Sequence, residues 1–282
     1  MTICMKVEFK VVWRIFMNRE IRLGFRNPWT YFFAGIFSVF FLLVVAIGSN
    51  QVWQGYTFAT ATVINLMLVL LPLMALLLGS FSLVTEREEG SWKLWMAYPI
   101  TTLQFVLGKF LGLLLVMLTI VGFSVGFAIV VGGLFGSFLS ILSMVTFLST
   151  AIGLVLTFTL LGIVIGSIVS TRWQALAVSV GLWFVLVIAW PTLWFAVLSA
   201  VPYSLIQPLL LGGFAFNPAE WMRIVAILAF GSGSILGPDY HKLVINAANP
   251  LTWLGASVYI LLWIGIHFIT ACKIWEKRRY NG

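Results

Sequence analysis

The sequence predicts an all-α integral membrane protein with six transmembrane helices, an N-terminal amphipathic interfacial helix and a short external helical region before the last span. Three observations predict it. Hydrophobic residues fill 62% of the 282 positions against 9% charged, and the mean hydropathy is +1.10, far from the shares of water-soluble domains. No charged residue occurs from Asn27 to Thr85 or from Phe110 to Thr171, and each stretch holds two spans of about 20 residues. Lys and Arg number six before the first span, three between positions 86 and 109, one at Arg172 and four in the tail, so 14 of 16 fall on one side. Only Arg223 and Lys242 lie opposite, and the positive-inside rule then puts both termini in the cytoplasm. Positions 1–282 are expected to form a single membrane domain.

Residues 5–26 place Met5, Phe9, Val12, Trp13, Phe16 and Leu23 on one helical face and Lys6, Lys10, Arg14 and Asn18 on another, the pattern of a helix lying in the interface. Asn27 and Pro28 end it, because the residue before proline avoids the helical region while proline is accepted in a first helical turn. The next apolar run spans about twenty positions after a basic stretch, too long for a cleaved signal segment. Spans are predicted at about 29–48 and 57–84, joined by Ser49, Asn50, Gln51, Gln54 and Gly55. From Glu86 to Met96, ended by Pro99, a short charged and amphipathic helix belongs in water against the membrane face. Two further spans, about 104–131 and 138–169, are separated by Gly132, Gly133, Gly136 and Ser137.

After Arg172 a fifth span at 174–198 carries Trp183, Trp190, Pro191 and Trp194. Five prolines and five glycines between about 199 and 250 then forbid a simple continuous helix and mark an external region. Inside it Asn217 caps and Pro218 opens a helix running to Phe230, with Glu220 near its positive end. Glu220 and Arg223 are spaced to pair on this helix. Residues 251–272 supply the sixth span.

Composition excludes several functions. The formal charge of +8 is spread along the flanks of apolar runs and is not gathered on one face as in a nucleic-acid binder. Cys4 and Cys272 fall on the cytoplasmic side, where thiols stay reduced. No glycine-rich phosphate loop is present: Gly108-Lys109 is followed by Phe110 and no glycine stands at 103. Cys4, Cys272, His241 and His267 have no metal-ligand spacing, and the methionines are scattered, Met222 beside Glu220 being the one suggestive case. Apart from His267 the spans are read as free of charge, which argues against an ion-coupled pump and against an intramembrane enzyme. His267 has no partner at helical spacing and reads better as a neutral, hydrogen-bonded packing residue than as a proton relay. Gly108/Gly112, Gly122/Gly126 and Gly162/Gly166 have the spacing that lets helices approach closely, either within the chain or between subunits.

The segment from Glu86 carries the most information. Three glutamates repel anionic headgroups, so a protein partner is favoured over lipid, with Trp92 and Trp95 as anchors; a solvated loop is the alternative. Here the chain resembles the permeases of type-2 ABC transporters: Glu86-Arg87-Glu88-Glu89-Gly90-Ser91, Tyr98-Pro99-Ile100 and Leu107-Gly108-Lys109-Phe110-Leu111-Gly112 match the motifs of that class. Asn217-Pro218-Ala219-Glu220-Trp221-Met222-Arg223-Ile224 is similar to its NosY-like branch.

The resemblance implies a non-catalytic homodimeric subunit of a bacterial or archaeal cytoplasmic membrane, driven by a separate cytoplasmic ATPase that binds ATP and Mg. It makes 86–98 the coupling helix, with Glu86, Arg87, Glu88, Glu89, Gly90, Trp92, Lys93, Trp95, Tyr98 and Pro99 meeting that partner. It also implies a short external helix carrying Asn217, Pro218, Glu220, Met222 and Arg223, an accessory protein on the external side, and cargo related to copper and sulfur handling for nitrous oxide reductase maturation. A drug-like or lipid-like cargo, or a membrane anchor without transport, are the competing readings.

Overall fold

Inside lipid only a helix satisfies its own backbone polar groups, and the apolar runs are helical throughout the computed structural model, which describes residues 2–47, 52–53, 55–92, 100–134, 138–236, 240–246 and 249–281. In chain order the helices are α1 (Thr2–Arg26), α2 (Pro28–Ile47), α3 (Phe58–Glu88), α4 (Thr102–Leu134), α5 (Ile141–Ile168) and α6 (Arg172–Trp183). A π turn, Phe184–Ala189, joins α6 to α7 (Trp190–Ala200), and α8 (Tyr203–Phe216), α9 (Pro218–Ala229), α10 (His241–Asn246) and α11 (Pro250–Asn281) follow. Five segments are long and apolar enough to cross a membrane: α3, α4, α5, the continuous α6–α7 and α11. The run expected at 29–48 is α2, a shorter apolar helix of 20 residues.

The centre of the bundle is the pair α3 and α5, with α6 against α3 and α11 against α5. Two of the small-residue motifs explain the close approach. A Cβ added at Gly162 would lie 2.9 Å from the carbonyl oxygens of Ala75 and Leu76, and one at Gly166 would lie 2.6 Å from that of Ser80. Gly108 and Gly112 play the same part between α4 and α1, where an added Cβ would strike Phe16 and Glu20. Around Gly122 and Gly126 nothing lies within 4 Å, so that stripe of α4 faces outward.

Local chemistry sets the ends. Thr57 and Thr60 form a reciprocal capping box at the start of α3, supplying partners for donors that a helix start leaves open. Pro72 removes a donor inside α3, and Trp183 Nε1 donates to Val69 O at 2.7 Å just before it. The loops after α2 and after α4 touch as a two-residue parallel pair, Val52–Trp53 (β1) with Phe138–Leu139 (β2).

Two expectations are corrected. The face of α1 that packs on α4 runs through Phe16, Glu20 and Gly24, all buried, while Leu23 is 44% exposed. The region after 199 is more helical than its prolines suggest, because Pro202 precedes α8 and Pro208, the sixth of its fourteen residues, is accommodated inside the helix at the loss of one intrahelical donor.

Candidate functional site

The charged residues gather at one end of the bundle, where α3 finishes. Glu86, Arg87 and Glu88 are its last three residues; the chain turns at Glu89 and at Gly90, whose φ of +71° disfavours any side chain, and Ser91 and Trp92 are again helical. The acidic part of the motif, Glu86 to Glu88, is therefore the continuation of a span. Lys93, Trp95, Tyr98 and Pro99 lie outside the described residues.

Each motif residue grips a different helix. Glu86 is 2% exposed and points inward, where its Oε1 is 2.9 Å from Lys109 Nζ on α4 and also pairs with Arg19 on α1. Lys109, wholly buried, donates to Glu20 Oε1 at 2.6 Å and to Ser82 Oγ at 2.8 Å, and the Ser82 hydroxyl donates to Glu20 Oε2 at 2.7 Å. All three ammonium protons thus have acceptors, which a charge in a dry interior requires. Arg87 reaches the other way and donates to Ser167 O at 2.9 Å and to Val169 O, while Arg278 of α11 donates to Ile168 O. Two guanidiniums thereby cap the open carbonyls at the end of α5, where positive charge is favoured. Glu88 accepts from the backbone N–H of Arg172 at 2.8 Å and pairs with its guanidinium at 2.8 Å, an anion at the positive start of α6.

Glu86 therefore has to be removed from any contact surface, and Arg87 and Glu88 are largely occupied in holding helices together. Glu89, whose side chain is 59% exposed, is the acid of the motif left facing outward, and Trp92 is half-buried against the core. The reading of the spans as free of charge is also corrected: Lys109 lies within α4, and sequence reasoning missed its partners Glu20 and Ser82. A signal existed, since Glu20 sits four residues from both Phe16 and Gly24 on one stripe of α1.

Midway along the α6–α7 span Asn217 is fully buried. Its Oδ1 accepts from Ala219 N at 2.9 Å as the cap of α9, and its Nδ2 donates to Leu186 O at 2.6 Å, a carbonyl inside the π turn. Replacing Asn217 with alanine removes both and is expected to cost about 1–2 kcal/mol, read as a lower melting temperature of the detergent-purified protein. Pro218, in the first turn of α9, is buried. Glu220 and Arg223 pair at 2.8 Å; burial raises the Glu220 carboxyl above its usual value against the opposing pull of Arg223. The Tyr56 hydroxyl is raised in the same way, by burial, with Arg223 again opposing. Met222 is 2% exposed, with its sulfur packed on Gly153, so it fills the core and is not an open ligand. Among the described residues no group of three or more His, Cys, Asp or Glu could hold a metal ion. His267 places Nδ1 2.8 Å from Trp263 O and stacks on the Trp263 ring at 4.4 Å, a hydrogen-bonded packing position.

Comparison with known proteins matches residues 20–269 to the ABC-2 family transporter protein family. The chain is also 29% identical over 285 residues to a probable ABC transporter permease protein NosY of Stutzerimonas stutzeri, covering 95% of this chain and 98% of that one. A probable ABC transporter permease protein NosY of Pseudomonas aeruginosa is 29% identical over 289 residues with the same coverage. Apolar spans, a charge-clamped loop root and a family match over most of the length converge on one identification: the chain belongs to the ABC-2 transporter family and is a transmembrane permease subunit.

Proposed function

We propose that this permease moves or hands over cargo across a bacterial or archaeal cytoplasmic membrane as a homodimer of six-span subunits, both termini inside, driven by a cytoplasmic ATPase that supplies ATP and Mg chemistry. The observation that carries the proposal is the charged end of α3. Glu86, Arg87 and Glu88 bind α1, α4, α5 and α6 at one point, so a force on the adjoining Glu89–Trp92 turn is delivered to all of them together. A ligand-driven switch needs an element with different contacts in two states, and rocking of this clamped group is such an element. The outward stripe at Gly122 and Gly126 supports a second copy packing there. Similarity to two NosY permeases favours copper or sulfur handling for nitrous oxide reductase maturation over drug-like or lipid-like cargo, with an accessory protein at the α9 end.

Reversing the exposed charge of the loop tests the mechanism. Glu89→Lys is expected to reduce permease-stimulated ATP hydrolysis in proteoliposomes at least roughly fivefold, the size of a coupling of about 1 kcal/mol. Unchanged hydrolysis and unchanged cargo movement would take this turn out of the energy path.

A further inference from the structure

Helix α1 has two chemically opposite faces. Phe16, Glu20 and Gly24 are buried against α4. On the other side Ile15, Asn18, Arg22 and Arg26 recur three and four residues apart, and all four are exposed, as the helical period requires of positions turned away from Gly24. Together with Arg19 and Leu23 they line a shallow groove of about 420 Å³. No residue of another helix lines it, so the groove is open to whatever surrounds the subunit.

The charge in this groove is unbalanced. Arg22 and Arg26 have no carboxylate within ion-pair distance among the described residues. The acids around the end of α3 are already taken: Glu20 and Glu86 hold Lys109, Glu86 also holds Arg19, and Glu88 and Glu89 hold Arg172. Two accessible guanidiniums one turn apart on a helix therefore face outward without a counter-ion, spaced to grip one anion between them.

The setting decides which anion. Thr30 donates to Gly24 O and the Tyr31 hydroxyl donates to Phe25 O, each at 2.6 Å, so the end of α1 is tied to the start of α2 and the arginine stripe stops at the root of an apolar helix. Trp29, Tyr31 and Phe32 are exposed at that root, and Trp and Tyr settle at the level of lipid headgroups. Ile15 and Leu23, also exposed, add hydrocarbon beside the guanidiniums. The matching ligand carries a phosphate with acyl chains attached.

From this arrangement we infer that the outer face of α1 binds an anionic phospholipid of the phosphatidylglycerol type, its phosphodiester held by Arg22 and Arg26 and its chains running along Leu23 and Trp29 toward α2. Paired phosphate oxygens fit the donor fork of a guanidinium. A zwitterionic headgroup brings a cation, and the exposed face of α1 offers it no carboxylate among the described residues. An acidic protein would answer the charge but not the exposed aromatic residues next to it. The inference goes beyond the proposed transport function and stands without it, needing only the membrane setting of the chain.

The test is native mass spectrometry of the full chain, delipidated in detergent and titrated with phosphatidylglycerol, phosphatidylethanolamine and phosphatidylcholine of identical acyl chains. The first equivalent of phosphatidylglycerol is expected to bind at least roughly tenfold more tightly than either zwitterionic lipid, the factor that two basic residues at an anionic surface supply. Arg22→Gln and Arg26→Gln, both outside the packed face of α1, each cut that preference several-fold without lowering the melting temperature, and the double variant removes it. Arg14 lies over the Trp13 ring outside the groove, and Arg14→Gln, which takes away the same charge, leaves the preference intact. Equal binding of the three lipids, a full preference in the double variant or its loss in Arg14→Gln would overturn the site. Displacement by equimolar glycerophosphoglycerol would overturn the lipid as its occupant, and a double variant that keeps its lipid preference but loses a co-purifying ATPase would assign the stripe to a protein instead.

Discussion

Lys109→Met is expected to lower the unfolding stability by about 3–5 kcal/mol, because removing one partner of a buried ion group leaves the others as uncompensated charges. Lys109 is fully buried between Glu20, Glu86 and Ser82, so neither carboxylate can turn to water for compensation. The measurement is equilibrium unfolding in mixed micelles followed by tryptophan fluorescence. Combining Lys109→Met with Glu20→Gln and Glu86→Gln is expected to return much of the loss, since replacing the whole group by neutral residues is far milder than breaking it. A single variant as stable as the parent would mean that the cluster is solvated. A separate consequence is expected in the complex: the triple variant, though folded, should show weakened ATPase coupling if α1 is moved through Glu20.

Gly162→Leu is the second large effect. A single added carbon already meets two backbone carbonyls at 2.9 Å, and backbone cannot give way as a side-chain tip can. The α3–α5 contact must open along its length, costing about 3 kcal/mol or more as overpacking of a tight core, and little folded protein should be recovered by size-exclusion chromatography. Gly122→Leu is the matched control. With nothing within 4 Å of it in the subunit, it should leave the subunit folded and act on association with a second copy. If both variants behave alike, close packing at Gly162 is not what holds the bundle.

Much of this fold can be read from residues alone, for a physical reason. Lipid permits few backbone solutions, so the charge-free runs had to be helices, and the start of α9 is written in the side chains of Asn217 and Pro218. The α3 end was harder. A run such as Glu86-Arg87-Glu88-Glu89 ordinarily marks a solvated surface, and helical periodicity describes a single element without naming what lies opposite. The partner that draws Glu86 inward is Lys109, and Lys109 in turn binds Glu20, 89 positions away. By sequence Lys109 reads as a cation flanking a span, whereas it is buried inside α4. The glycine pairs show the same limit: their spacing predicts close approach, yet nothing in one strip of sequence tells Gly162, which meets Ala75, from Gly122, which meets nothing.

The acid–base cluster also has a temporal meaning. Ribosomes make the chain from its amino end, so Glu20 and Glu86 both exist before Lys109 leaves the exit tunnel. A lysine entering lipid unaccompanied costs about 2.5–3.5 kcal/mol at a helix centre, and Lys109, the eighth residue of α4, carries the part of that cost due near a helix end. Here the cation arrives last, to two waiting anions. The lysine-bearing start of α4 is thus a segment whose counter-charges have already been delivered, and relocating Glu20 behind Lys109 by circular permutation should burden biogenesis even where the finished contacts are unchanged.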